Sequence, residues 1–378
     1  MRRTRGFTLM EILIAMALTT IVTASVLAIV RTQLTAFEMQ DQIVRTQQNT
    51  RAGMDFVETM VRRACAGINN GYLQVYTPTL QSTAGLPCLR HFDGAVASAT
   101  TFTPTKADYP DALEVVYASG SMTAVTKHTA LTTTTPSVDV VDICSFSVGD
   151  FVILTDKSYL NPALFKISAI STGTCPSSTP VAGTLSFGTV NPAPSVLPTI
   201  TDYQANTANG TPVFKAYTYS IFVANSTLIG STNKAYDNML MVDPAGITST
   251  NHLDYGKTVQ PAVEGVIDFQ VAVGNDTSGT GAGTTLDWVG DSWGETLAPP
   301  TATAPWNSAT LTVMPQYRQV RLSLLLQTTN LYPGTPGPIT PSEDRPSTSY
   351  PQFTAGQNSQ RYRSMRIIVA PRAWNLAE

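Results

Sequence analysis

Residues 6–30 read GFTLMEILIAMALTTIVTASVLAIV, and this segment decides whether the 378-residue chain is anchored in a membrane. From Phe7 to Val30 the segment carries one charged residue, Glu11, and contains no proline. At a rise of about 1.5 Å per residue, a helix of this length crosses the roughly 30 Å hydrocarbon core of a bilayer. The sequence therefore predicts a transmembrane helix over 7–30.

The residues before the apolar segment are basic. Three arginines, at positions 2, 3 and 5, precede it. Basic flanks of membrane helices stay in the cytoplasm. We therefore expect a single-pass inner-membrane protein with a cytoplasmic N-terminus and a periplasmic C-terminal domain.

Glu11 separates three interpretations of the segment. A cleaved signal peptide also has a basic head and an apolar run, and Val22-Thr23-Ala24 is a candidate cleavage site. However, this run is long for a signal peptide and has a carboxylate near its start. A plain signal anchor fits the length but leaves Glu11 without a role, although a charge in a membrane helix costs about 2.5–3.5 kcal/mol.

The third interpretation gives Glu11 a role. The string Gly6-Phe7-Thr8-Leu9-Met10-Glu11 resembles the prepilin signature of type IV pilins and type II secretion pseudopilins. The resemblance implies that a prepilin peptidase cuts after Gly6 and methylates Phe7. It also implies that Glu11 pairs with the Phe7 amine of a neighbouring subunit. Removal of the six-residue leader would change the net charge from −3 to −6, because it takes away three arginines.

Beyond the membrane the chain turns polar but stays rich in helix formers. No proline occurs before Pro78, and apolar residues recur near helical spacing up to Ala64. We predict one helix over about 7–66, ended by Gly67 and the turn at 69–71. Its outer half is expected to bury Met54, Val57 and Val61 against a sheet.

The remainder reads as short strands between turn clusters. The predicted strands are Ala112–Ala118, Phe151–Thr155, Leu164–Ile170, Val213–Ala224, Asn238–Val242, Val263–Val273, Gln319–Gln327 and Met365–Val369. The predicted fold class is therefore α+β, with a long N-terminal helix packed on an antiparallel sheet. Residues 274–310, which include Trp288, and the proline-rich arm at 330–360 are expected to be loops.

The predicted organisation is a leader at 1–6, a transmembrane half-helix at 7–30, a periplasmic half-helix at 31–70 and a β-rich domain at 71–378. Residues 125–210 are predicted to be a β-rich insertion in that domain. Four cysteines, Cys65, Cys88, Cys144 and Cys175, suit two disulfides outside the cytoplasm. Three pairings are open, of which we favour Cys65–Cys88 with Cys144–Cys175; four buried thiols are the alternative.

The C-terminal half resembles that of PilW-type minor pilins. The resemblance lies in four segments in this order: VEGVIDFQVAVGNDTSGTG at 263–281, LDW at 286–288, QYRQVRLSLLLQTT at 316–329 and RYRSMRIIVAPRAWN at 361–375. It implies a low-copy structural subunit that primes pilus assembly and lies at the tip. The implied partners are the prepilin peptidase, other minor pilins, the major pilin and a PilY-type adhesin. A pseudopilin of a secretion or DNA-uptake system, and a membrane-anchored binding protein, are the alternatives.

The other motifs give weak support for catalysis, metal binding or nucleic-acid binding. Residues 290–294 match G-x-S-x-G, but all three histidines precede them, so the order required of a hydrolase triad is missing and no enzyme is predicted. Asp276, Ser278, Thr280 and Asp287 have the spacing of calcium ligands in an EF-hand loop, although the closing glutamate is absent. A glycine-rich hairpin is the preferred interpretation. No basic stripe predicts direct nucleic-acid binding, and no other cofactor is predicted.

Overall fold

A computed structural model describes residues 8–66, 72–76, 81–98, 102–104, 109–128, 136–155, 162–171, 175, 179–188, 212–224, 235–246, 251–276, 286–289, 316–327 and 362–370. One long helix is followed by strands of 2 to 17 residues. The helix is α1 (Leu9–Arg63), and the strands are β1 (Tyr72–Tyr76), β2 (Gln81–Pro87), β3 (Leu89–Phe92), β4 (Ala95–Ala97), β5 (Phe102–Pro104), β6 (Ala112–His128), β7 (Ser137–Val140), β8 (Phe151–Leu154), β9 (Ala163–Lys166), β10 (Ala169–Ile170), β11 (Gly183–Ser186), β12 (Pro212–Ala224), β13 (Met239–Asp243), β14 (Gln260–Glu264), β15 (Val266–Asp276), β16 (Leu286–Val289), β17 (Gln316–Gln327) and β18 (Tyr362–Val369).

Helix α1 buries only its C-terminal end. Met54, Val57 and Val61 are fully buried, as the sequence predicts, and they pack with leucines and valines of β15 and β17. Gly53 lies close to β14, because a Cβ atom built there would stand 2.8 Å from Cγ2 of Val263. Residues 8–38, by contrast, are exposed throughout.

The helix ends three residues earlier than predicted. Cys65 adopts a left-handed backbone conformation (φ 64°), and its N–H donates to the carbonyl of Val116 on β6. A contact with the sheet therefore stops the helix before Gly67, and the predicted stop signals at 67–71 lie outside the described residues.

Two main sheets form in the described part of the chain. The larger has twelve strands, with β6 and β12 at its centre, and the smaller has the order β16-β15-β17-β18. Every pair in the smaller sheet is antiparallel. Helix α1 packs on β17 and β18 of the smaller sheet and on β14 and β6 of the larger one. The α+β class is confirmed, and a long helix on antiparallel sheets is consistent with a pilin-like fold.

The strand predictions were wrong in several places, and β6 runs ten residues beyond the predicted end at Ala118. The predicted strand Val263–Val273 is two strands, β14 and β15, because Gly265 breaks it with a φ of 83°. The predicted strand Leu164–Ile170 likewise divides into β9 and β10. Residues 286–289, expected to be loop, form β16 and pair with β15.

The sheet is also not wholly antiparallel. Strand β1 runs parallel to β9, with Val75 opposite Leu164. The remaining strands of the larger sheet pair antiparallel in the described residues.

A second core is formed mostly by the range 125–210, together with Val213 of β12. It includes Val138 and Val140 of β7, Phe165 of β9, Leu185 of β11 and the adjacent Phe187. The disulfide between Cys144 and Cys175 lies in the same range. The assignment of this range as an insertion stays a prediction.

Candidate assembly site

The start of helix α1 holds a carboxylate in a reciprocal cap. The side-chain oxygen of Thr8 accepts from the Glu11 N–H (3.3 Å), and Oε2 of Glu11 accepts from the Thr8 N–H (2.9 Å). The Thr8 hydroxyl also donates to Oε2 of Glu11 (3.0 Å). Thr8 is extended (φ −77°, ψ 149°), as an N-cap residue must be. These bonds occupy backbone donors that a helix start otherwise leaves unpaired.

Sequence reasoning missed Thr8, although its signal was present. Thr8-Leu9-Met10-Glu11 has the S/T-x-x-E spacing of a capping box, which marks a helix start. The prepilin signature directs attention to Gly6, Phe7 and Glu11, and the threonine between them was passed over. Gly6 and Phe7 lie outside the described residues.

The helix beyond this cap has the surface of a membrane span. Leu9, Leu13 and Leu27, for example, expose 80%, 58% and 57% of their surface. Its hydroxyl groups are satisfied internally, since Thr19, Thr23 and Ser25 each donate to the carbonyl four residues earlier. In lipid, where water cannot replace a lost partner, such bonds remove the cost of an unpaired hydroxyl. This is the one helix of the described chain that is long and apolar enough to cross a membrane.

The Glu11 carboxylate has neutral partners in the described chain. Its hydrogen bonds there go to Thr8, and no described basic side chain forms an ion pair with it. The Glu11 carboxylate can therefore form an ion pair with a cationic group that lies outside the described residues.

Both disulfides are present and follow the sequence-local pairing. Cys65 joins Cys88, and Cys144 joins Cys175. The first bond fixes the end of α1 beside β6, since Val116 of β6 also accepts from Cys65 and donates to the Cys88 carbonyl.

The calcium-type spacing falls on a hairpin. Asp276 is the last residue of β15 and Asp287 lies in β16, directly opposite Asn275. Strands therefore flank residues 277–285, where an EF-hand has helices. Ser278 and Thr280 lie outside the described residues. Among the residues that are described, no group of three or more histidines, cysteines or acidic residues could hold a metal ion. Calcium binding here stays a prediction.

Two histidines form buried pairs with aspartates. Nε2 of His91 lies 3.1 Å from Oδ2 of Asp111, and Nδ1 of His252 lies 3.0 Å from Oδ2 of Asp243. All four side chains are 0–2% exposed, so a substrate could not reach them without unfolding. The G-x-S-x-G string at 290–294 lies outside the described residues.

Comparison with known proteins agrees with the helix start. A family model described as the prokaryotic N-terminal methylation motif matches residues 1–27. No curated protein and no solved structure matches the chain.

The match and the geometry together support a type IV prepilin-like protein, in the sense that includes pilins and pseudopilins. Such a motif implies processing by a prepilin peptidase and partners in pilin assembly, and it suggests a structural protein rather than an enzyme. The apolar helix near the N-terminus fits an inner-membrane-anchored pilin.

Proposed function

We propose that this chain is a minor pilin of a type IV pilus, which primes assembly and takes a place at the pilus tip. The observation that carries the proposal is the Glu11 carboxylate, held by Thr8 at the start of a helix that is exposed from residue 8 to residue 38. Through its pilus the subunit would serve adhesion and motility.

The role of Glu11 follows from the cost of a charge in lipid. A lone carboxylate among apolar side chains is unfavourable, and an ammonium group that meets it offsets the desolvation of both ions. Cleavage after Gly6 would create such an ammonium at Phe7. The Phe7 amine of one subunit would then pair with Glu11 of its neighbour, while the Thr8 hydroxyl keeps the carboxylate hydrogen-bonded before assembly.

In the proposed membrane topology, the leader lies in the cytoplasm and the β-rich domain lies in the periplasm. The prepilin peptidase would act on the cytoplasmic side and methylate Phe7. After extraction from the membrane, the subunit would join other minor pilins, the major pilin and a PilY-type adhesin at the cell surface.

The minor-pilin assignment is supported by where the resembling segments lie. Residues 263–281, 286–288, 316–329 and 361–375 supply β15, β16, β17 and β18, which together make the four-stranded sheet. Helix α1 packs on two of these strands, β17 and β18. The described part of these segments therefore lies almost wholly in one sheet that contacts helix α1.

The test compares Glu11→Gln with the wild-type chain. Gln has nearly the same shape and keeps an acceptor for Thr8, but it cannot neutralise an amine. We expect normal membrane insertion and loss of pilus incorporation, measured by immunoblots of membrane and sheared-pilus fractions. Equal incorporation of both proteins would overturn the filament assignment and leave a membrane-anchored binding protein.

Two further measurements separate the remaining alternatives. N-terminal mass spectrometry should show a mature chain that begins with methylated Phe7. Incorporation should disappear when the pilus machinery is deleted and persist when a type II secretion machinery is deleted. The opposite dependence would identify a pseudopilin.

A further inference from the structure

A cluster of three tyrosines lies beside the end of helix α1. Tyr217 of β12 pairs directly with Tyr117 of β6, and Tyr219 lies two residues farther along β12 on the same face. The three ring centroids are 5.7, 6.0 and 6.4 Å apart. Tyr117 is buried, Tyr219 is partly buried and Tyr217 exposes 39% of its surface. The cluster therefore has a buried base and one ring open to solvent.

An arginine of the last helical turn lies against this cluster. Arg63 is exposed, and its guanidinium carbon is 6.0 Å from the centre of the Tyr117 ring. Among the described residues no carboxylate pairs with Arg63, whereas the adjacent Arg62 donates from Nε to Oε1 of Glu58 (2.6 Å). Both arginines suit the negative end of the helix dipole, so their position alone does not indicate a site. What distinguishes Arg63 is a charge without a carboxylate partner, held over an aromatic ring.

We call Arg63, Tyr117, Tyr217 and Tyr219 the tyrosine–arginine patch. Its composition is typical of a protein interface, where tyrosine and arginine are enriched and carry much of the binding energy. A guanidinium over an aromatic ring can still bind a carboxylate through two parallel hydrogen bonds. One ring in the cluster is open, which favours a protein partner over a saccharide chain that would stack on several rings.

The patch lies at the end of α1 that is farthest from the membrane segment. Glu38 is the last residue of the exposed run, and Arg63 is the last residue of the helix. At 1.5 Å per residue the two are roughly 37 Å apart along the helix axis. In the proposed function, subunits that join after a tip subunit lie on its membrane side. A protein that contacts the patch would therefore lie ahead of this chain on the filament.

We propose that the tyrosine–arginine patch docks an acidic segment of a different protein, which lies ahead of this chain at the filament tip. A carboxylate of the partner binds the Arg63 guanidinium, and apolar side chains of the partner cover the Tyr217 ring. The inference rests on the proposed function, because an assembled tip subunit presents this end of its domain outward.

The test places a photo-crosslinking residue in the full-length chain. A benzophenone amino acid replaces Tyr217 and so keeps an aromatic side chain in the patch. The same residue at Val148, which is 63% exposed at a turn after β7, is the control. After irradiation of intact pili, mass spectrometry should identify an adduct at position 217 with a segment of a different protein that is rich in aspartate and glutamate. Position 148 should give no such adduct.

The two neighbouring arginines provide a matched pair of variants. Arg63→Gln removes the charge without a carboxylate partner, whereas Arg62→Gln removes a charge that Glu58 already neutralises. The change in size and net charge is the same. The adduct at position 217 should fall about tenfold with Arg63→Gln and stay unchanged with Arg62→Gln. Equal urea midpoints of the two variants would exclude a folding defect as the cause.

Charge exchange tests the contact directly. Arg63→Glu should abolish the adduct, and a lysine in place of the cross-linked acidic residue of the partner should restore it, because the ion pair is then reversed. Failure of this recovery would overturn the proposal even if Arg63→Gln lowered stability.

Other outcomes are also decisive. The proposal is overturned by no adduct, by equal losses for the two arginine variants, or by an adduct with a second copy of this chain, a saccharide, a lipid or a segment without acidic residues. If the wild-type chain still enters pili through Glu11 in these cases, the proposed function stands and only this contact fails. If the wild-type chain does not enter pili, the proposed function fails and this contact fails with it.

Discussion

Val271 donates its backbone N–H to the carboxylate of Asp111, with 2.7 Å between N and Oδ2, and this bond joins the two sheets. The Asp111 N–H donates in turn to the carbonyl of Phe269, so one residue pairs with the edge of β15 as a strand would. The same carboxylate accepts from Gly94 N–H and contacts His91. Asp111 thus holds β15 of the smaller sheet against the start of β6 in the larger one.

Asp111→Asn should therefore be strongly destabilising. The amide loses one acceptor oxygen and turns N–H groups toward buried donors, which costs about 3 kcal/mol or more of unfolding free energy. The measurement is urea unfolding of the full-length protein in detergent. Asp41→Asn, in an exposed pair on the helix, is the control and should change stability by less than about 0.5 kcal/mol. Similar effects at both positions would show that Asp111 does not join the sheets.

The Thr8 hydroxyl should matter for assembly. Thr8→Val keeps the shape of the side chain but removes the cap, at a cost of about 1 kcal/mol, whereas Thr8→Ser keeps the cap. We expect incorporation into pili to fall severalfold for the valine variant and to stay normal for the serine variant. If the two variants assembled alike, the capping box would have no part in assembly.

Gly53 should tolerate no side chain unless Val263 shrinks. A β-carbon at Gly53 would meet Cγ2 of Val263 at 2.8 Å, and a β-branched residue in a strand has few rotamers with which to move away. Gly53→Ala should thus lower stability by about 1–3 kcal/mol despite its better helix propensity. Val263→Ala in the same chain should recover most of that loss, and a purely additive double variant would contradict this packing.

The Cys65–Cys88 bond should contribute to stability through the loop that it closes. For 23 residues of separation, the chain-entropy treatment gives about 3 kcal/mol. The change to test is the pair Cys65→Ala and Cys88→Ala, followed by urea unfolding under oxidising conditions. An unchanged midpoint would mean that the other contacts at the end of α1 hold it without the bond.

Alkaline pH should weaken the fold through two tyrosines. Burial raises the pKa of Tyr255 to about 12, with Asp237 adding to the effect, and burial and then Tyr117 raise the pKa of Tyr219 to about 12. A raised folded-state pKa means that the folded protein holds its proton longer than the unfolded chain, whose tyrosines titrate near 10. Stability is then complete below about pH 10 and falls as the pH rises toward 12.

Tyr255→Phe isolates one of these contributions. Its hydroxyl oxygen is buried without a hydrogen-bond partner in the described residues, so its removal should leave stability at pH 7 unchanged or slightly higher. Thermal melts between pH 9 and 12 should show a smaller decline than for the wild type. An identical decline would remove Tyr255 from the explanation.

The sequence predicts the helix and its buried face well because both are local. Composition alone marks the long apolar segment, and spacing alone marks the buried face at Met54, Val57 and Val61. Sheet details depend on contacts that are distant in sequence. The parallel pairing of β1 with β9 and the early helix stop at Cys65 both require partners about 50 to 90 residues away, and no local pattern reports them.

Two misses had a readable signal. An isolated glycine inside a strand pattern, here Gly265, favours a bulge or a break, and its φ of 83° shows why. Thr8 stood at the capping position relative to Glu11. Each signal is a single residue inside a stronger pattern. The apolar strand pattern outweighed Gly265, and the prepilin signature outweighed Thr8.

The exposed part of α1 bears on the position of the subunit before assembly. Thirty residues from Leu9 to Glu38 are bare, about 45 Å of helix. That length equals the thickness of a bilayer with its headgroup layers, about 40–45 Å. In the proposed membrane orientation, the folded domain would therefore lie at the headgroup surface. The first assembly partner that binds residues 9–38 of α1 would then have to contact them within the membrane.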